Sequence, residues 1–214
     1  MGIGHLAVGF AAKRAVPRLP LGLLLLAVTF VDILWGAAIL LGVEHARLEP
    51  GATAAMPFDL YDYPYTHSLL AGVLWALLFG GAFFVLRHYR AGAVMLGALV
   101  LSHWVLDVVS HRPDMPVLLN GPYLGLGLWN SKAASVIVEE AMFAGGLWLY
   151  LRATTPRGPQ WGLAMLTGVI ALLGVAGYTS PPPPSVTPLA VGNLASCVFL
   201  VLAQLVDRTR VAAA

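Results

Sequence analysis

The segment SHWVLDVVSH, residues 102–111, carries His103, Asp107 and His111 at intervals of four inside an apolar run. In an α-helix, four residues advance the chain by about 400°, so the three side chains share a sector of about 80° and stack over about 12 Å. Imidazole and carboxylate are donor types that hold Zn²⁺ at about 2.0–2.2 Å. Four more residues of these types lie in apolar surroundings or at their edges: His5, Asp32, His67 and Glu139.

The elements that must position them are set by composition. Of 214 residues, 59% are hydrophobic and only 10% charged, which marks a membrane protein. Runs long enough for a hydrocarbon layer of about 30 Å fall near 19–42, 67–87, 91–111, 132–151, 160–178 and 189–206. The stretch GIGHLAVGFAAKRAV before them is too short to cross, and Pro17 and Pro20 break the chain after it. It is expected as a half-length helix, retained in place of a cleaved signal peptide because LGLLLLAV runs on without a small-residue cleavage site. The predicted architecture is an all-α polytopic membrane helical bundle, with about six transmembrane helices plus the N-terminal half-length helix. It forms one integral membrane domain over 1–214, with a metal-site core at 1–152 and two accessory C-terminal helices at 153–214.

Lysine and arginine set the expected orientation. Placing Lys13, Arg14 and Arg18 in the cytoplasm also puts Arg87, Arg90, Arg152, Arg157, Arg208 and Arg210 there, leaving only Arg47, Arg112 and Lys132 outside. The connections 43–66, 112–131 and 179–188 then face outward. The net charge of +2 is thus a topology signal and gives no indication of nucleic-acid binding. The chain is expected in a bacterial inner (cytoplasmic) membrane, with its basic N- and C-terminal segments cytoplasmic and the site facing outside. In this frame His111 lies at the outer mouth with Asp107 and His103 below it, and Glu139 reaches a similar depth of about 10–12 Å. If residues 17–20 turn a helical hairpin, His5 and Asp32 meet at one level near the bottom of the same pocket.

An acid at mid-helix in a membrane costs about 2.5–3.5 kcal/mol, so Asp32, Asp107 and Glu139 require partners. One or two divalent ions, expected as Zn²⁺, would supply them, because the cations Arg112 and Lys132 are few and superficial. Glu139 is preferred over Glu140, since it shares a polar face with Lys132 and Ser135 while Glu140 shares one with Ala133, Val136 and Phe143.

The ordered set of GH at 4–5, Asp32 within the membrane, THS at 66–68, SHWVLD at 102–107 and then His111 resembles the membrane-bound metal-dependent hydrolases of the YdjM type. The ligand order is also similar to that of the zinc-dependent phospholipase C and P1 nuclease group. The resemblance covers about residues 4–140. It implies that His67, His103, Asp107 and Asp32 surround one zinc, that Asp107 bridges, that His111 and Glu139 hold a second ion, and that His5 belongs to a third position. The chain has FVDIL where the YdjM type has a PDID run, and Ser135 where a histidine would precede Glu139 by four residues. Two ions are therefore expected among the possible one to three.

A metal ion that brings the pKa of its water from 15.7 towards about 7 suits phosphoester hydrolysis, with Asp32 and Asp107 as the catalytic carboxylates. A pocket in the outer leaflet would meet lipid headgroups, so the expected substrate and partner is a membrane lipid or lipid-linked phosphoester. The connection 111–131 is a candidate lid, from which Arg112 and Asn130 could bind substrate. Their alternative roles are an Arg112–Asp114 pair and capping of the next helix by Asn130 with Ser131. The tyrosines of DLYDYPYTHS read as an aromatic belt, the PPPP run at 181–184 as a stiff connection, and Cys197 as packing. The competing class is a metal-ion or proton-coupled transporter (permease). Nothing in the sequence points to an oligomeric state.

Overall fold

Apolar run length determines helix length. The computed structural model describes residues 1–213 and is an all-α bundle, with six helical segments long and apolar enough to cross a membrane. The chain begins with a short helix, α1 (Ile3–Ala12), turns through residues 13–20, and enters α2 (Leu21–Leu40). The expected half-length hairpin is present. An antiparallel hairpin of β1 (His45–Leu48) and β2 (Phe58–Asp62) follows. Next come the single turn α3 (Pro64–His67) and the pair α4 (Leu69–Arg87) and α5 (Arg90–Ser110).

A second hairpin, β3 (Met115–Leu118) with β4 (Gly121–Leu124), leads to α6 (Lys132–Ala153). After β5 (Thr154–Pro156) comes α7 (Trp161–Thr179). The last span is two helices, α8 (Thr187–Ala195) and α9 (Cys197–Asp207), ahead of β6 (Arg210–Ala212), which pairs with β5. The expected span is present over Thr187–Asp207; the two helices meet at Ser196, whose backbone stays helical at φ −57° and ψ −21° and whose hydroxyl donates to Asn193 O at 2.6 Å. Cys197, expected in packing, is exposed.

Local signals position the helix starts nearest the site. Ser68 and Ser131 cap α4 and α6 by accepting from Ala71 N at 3.0 Å and Ala134 N at 3.2 Å. The bundle is organised around α1, which packs against α6, α2 and α5. Its approach to α6 requires a bare Cα at Gly146, where an added Cβ would lie 2.2 Å from Ala7 O. Phe10, fully buried, meets Phe143 and Tyr150 edge-on at 5.6 and 5.5 Å. The hairpin turn is tied down at the end of the bundle remote from α3. There Lys13 Nζ bonds Asp207 Oδ2 at 2.6 Å and Leu19 O at 2.8 Å, and Tyr150 donates to Asp207 Oδ1 at 2.9 Å. A buried charge pair so fully hydrogen-bonded holds α1, α6 and α9 in one register, and that register aims the N-terminus of α1 at α5.

Candidate metal centre

His103 and Asp107 are 1% and 2% exposed, one turn apart on α5. His103 Nδ1 is 2.8 Å from Val28 O on α2. A carbonyl only accepts, so the proton is on Nδ1. Nε2 is then left 3.1 Å from Asp107 Oδ2 and 3.6 Å from Asp32 Oδ1, with no hydrogen bond. A buried ring nitrogen facing two carboxylates is stabilised by positive charge, which either a proton on Nε2 or a bound cation supplies.

His67 is oriented by a longer relay. The Thr66 hydroxyl donates to Glu44 Oε2 at 2.6 Å and lies 2.7 Å from His67 Nδ1. With its single proton engaged, the hydroxyl must accept from His67 Nδ1–H, which leaves Nε2 as a lone-pair donor. That Nε2 is 3.7 Å from both Asp32 Oδ1 and Asp107 Oδ2. Glu44 is itself buried and held by Tyr65 N and Thr66 N at 2.8 and 2.9 Å. A carboxylate or carbonyl behind the remote nitrogen is the usual outer partner of a metal-binding histidine.

His5 stacks on His103 at 3.9 Å between ring centroids, its Nε2 3.1 Å from Asp107 Oδ1 and its Nδ1 unpartnered. The α-amino group of Met1 also donates to Asp107 Oδ1. Donor atoms of His5, His103 and Asp107 lie within 4.8 Å of one another, as do those of Asp32, His67 and His103. His103 belongs to both groups and has one free nitrogen, so the two are not independent sites. By donor type, orphaned nitrogens and outer partners, these residues fit a divalent ion.

Three sequence expectations need correction. Glu139 is the buried one of the adjacent glutamates, but its oxygens accept from Gly2 N at 3.0 Å, Gly4 N at 3.1 Å and the Tyr178 hydroxyl. The N-terminus of α1 and a phenol therefore solve its burial problem, where a second ion with His111 was expected. His111 follows α5 in extended conformation, with φ −69° and ψ 152°, because Pro113 disfavours helix just beyond it. Its ring leaves the stripe for Trp129, 4.3 Å away, with Nδ1 2.9 Å from Asp114 Oδ1. Beside it, burial and then the Asp114 charge push the Tyr63 phenol well above its usual range, and it stays a donor to Asp114.

Arg112 pairs with Asp59 Oδ1 and, at 3.1 Å, with Asp114 Oδ2, and neither it nor the exposed Asn130 lines the cavity next to the cluster. Neither residue expected to bind substrate therefore faces the cavity, and the Arg112–Asp114 pair is the alternative role weighed for Arg112.

That cavity is about 570 Å³, with Asp32, His67, Asp107 and His111 at its polar end. The expected lid is shared among three connections. Ala55 to Phe58 come from the first, Trp129 from the second, and Pro181 to Pro183 from the third. The proline run is therefore more than a connection, and α7, α8 and α9, expected to be accessory, form a wall.

Glu44, the Met1 amine, Tyr178 and Trp35 were not singled out in the sequence. Glu44 stands alone in LGVEHA with no periodic partner, and Tyr178 at a span end reads as belt. Comparison with family models, curated proteins and solved structures finds no match.

The relay carries a prediction. Thr66→Val preserves shape but removes the acceptor for His67 Nδ1–H. Competition against a chelator should show metal affinity lowered by about 10–100-fold, with Thr66→Ser restoring it. Unchanged affinity in Thr66→Val would mean that His67 is not a ligand.

Proposed function

We propose that the protein is a membrane-embedded metal-dependent hydrolase, acting on a phosphoester of a lipid or lipid-linked substrate. The observation that carries this reading is His103 Nε2, buried without a hydrogen bond and facing two carboxylates at 3.1 and 3.6 Å. A proton there would satisfy one nitrogen. A divalent ion, with zinc the best fit to imidazole and carboxylate donors, satisfies His67, His103, Asp32 and Asp107 together, with His5 adjoining. One shared ion accounts for this donor set more simply than the two that the resemblance implies.

When bound, such an ion supplies Lewis acidity towards a phosphoryl oxygen and acidifies water. The chain supplies the rest. Asp32 is the most exposed carboxylate of the cluster, at 30% of its side chain, and it faces the cavity, where it can orient water and accept its proton. Asp107, 3% exposed, holds the imidazoles in place. Phe10, Leu24, Leu25 and Val28 are buried between this cluster and the Lys13–Asp207 pair at the far end. An apolar barrier of this kind suits chemistry at one end better than a transport path, which needs polar groups throughout.

The YdjM-type resemblance agrees with this reading in the order of its ligands. The lysine and arginine distribution supports an inner-membrane protein with the site outside. The test is metal analysis of protein purified without chelator, followed by turnover of a phosphoester panel in detergent. Bound divalent metal and metal-dependent turnover are expected; metal-free active protein would remove the reading. For orientation, an impermeant thiol reagent on intact cells, in a Cys197→Ser background, should label Leu119→Cys and miss His88→Cys. The reverse would invert the topology.

A further inference from the structure

The cavity does not stop at the polar cluster. It runs into an apolar arm whose walls are Ile3 and Leu6 of α1, Leu173 and Gly177 of α7, Leu189 of α8 and Phe199 of α9. Helix α7 packs on α9 through Leu163, Leu166 and Ile170 against Leu200 and Ala203. Towards the metal cluster, however, the cavity separates α7 from α8, since Leu173 and Gly177 line one side and Leu189 and Asn193 the other. Ser196, where α8 meets α9, also lines the arm. The cavity thus lies between α7 and α8, and the arm is mostly apolar, with Asn193 and Ser196 as its polar exceptions.

The lining also offers two unused groups. Trp35 Nε1–H is buried, lines the cavity and has no acceptor. A buried indole N–H left unpaired forfeits a hydrogen bond, and a ligand oxygen would restore it. Lys132, at the start of α6, also lines the cavity, and among the described residues it forms no ion pair. A cation and an N–H donor in one cavity with an apolar arm match an anionic headgroup joined to a hydrocarbon chain. The volume lies within the roughly 300–1,000 Å³ of small-molecule sites.

We propose that the substrate is an anionic amphiphile that enters sideways from the bilayer between α7 and α8, leaving its acyl or isoprenoid tail in the arm while Trp35 and Lys132 receive its headgroup. Cleavage of the bound amphiphile rests on the hydrolase reading, whereas its binding does not. The last two spans thereby gain a role as the tail-binding wall. Gly177 is the position from which to fill the arm, because a Cβ added there meets nothing within 4 Å.

The test is binding by the full chain, stripped of metal so that no turnover intervenes. Native mass spectrometry from a non-ionic detergent compares lysophosphatidic acid with glycerol 3-phosphate, the same headgroup without the chain. Wild type should bind the chain-bearing probe at least about tenfold more tightly, and Gly177→Trp should remove that advantage. Leu189→Trp fills the arm from the opposite wall and should do the same, which guards against a folding defect in either variant. Trp35→Phe keeps the ring and should weaken both probes.

Equal binding of the two probes by wild type, or an undiminished chain advantage in both filled variants, overturns the proposal. Chain-dependent binding without any phosphoester turnover by the metal-loaded protein supports the lipid site and removes the hydrolase reading. Turnover of soluble phosphoesters without chain-dependent binding overturns the lipid site alone.

Discussion

Asp107→Asn should purify with little bound divalent metal, its affinity lowered on the order of a hundredfold or more. That exceeds the ~10–100-fold typical of an outer partner, because Asp107 stands at the centre. Its Oδ1 faces His5 Nε2 at 3.1 Å and receives the Met1 amine, while its Oδ2 faces His103 Nε2 at 3.1 Å and His67 Nε2 at 3.7 Å. The amide matches the carboxylate in size but removes one negative charge and turns one acceptor into a donor. The buried Met1 N–H donor then loses its charged acceptor, so some loss of stability accompanies loss of metal. Asp107→Glu separates the two effects, since it retains the charge but displaces it by one methylene. It should recover stability before it recovers metal. Metal content by elemental analysis beside thermal unfolding in detergent reads both. Wild-type metal content in Asp107→Asn would exclude the cluster as the binding site.

Asp32→Asn should abolish phosphoester turnover in detergent, where no gradient exists, while retaining much of the metal. The cause is position: Asp32 Oδ1 is 3.6 Å from His103 Nε2 and 3.7 Å from His67 Nε2, longer than the 3.1 Å contacts of Asp107, and its side chain is open to the cavity. It is therefore placed to act on water at the mouth of the cluster, and a general base commonly contributes about 10²–10⁴-fold. A transporter gives a different result. There Asp32 would belong to the permeation path, and Asp32→Asn would abolish ion uptake into sealed vesicles while wild type turned over no phosphoester in detergent. That pair of results would replace the enzyme assignment with a transporter.

The spans were legible in the sequence because one physical requirement sets them: a helix that crosses hydrocarbon needs about 20 apolar residues. The half-length helix was legible because Pro17 and Pro20 interrupt the chain, and the pairing of His103 with Asp107 because four residues return a helix to the same face. The convergence of His5 and Asp32 on that pair followed from their depths, whereas His67 was joined to it only by the family resemblance. What each buried acid meets was not legible. Glu139 and Asp107 have similar depth and burial, yet one is neutralised by the N-terminus of α1 and a phenol while the other gathers imidazoles. Periodicity gives the face of each helix but not which neighbour that face meets, and apolar surfaces of similar composition leave rotation and partner undecided until helices pack at close approaches such as Gly146 on Ala7. Glu44 reaches His67 only through a one-turn helix, and α7 meets α9 in the core while the cavity lies between α7 and α8. Those relations join residues distant in sequence through packing, so tertiary structure alone decided them.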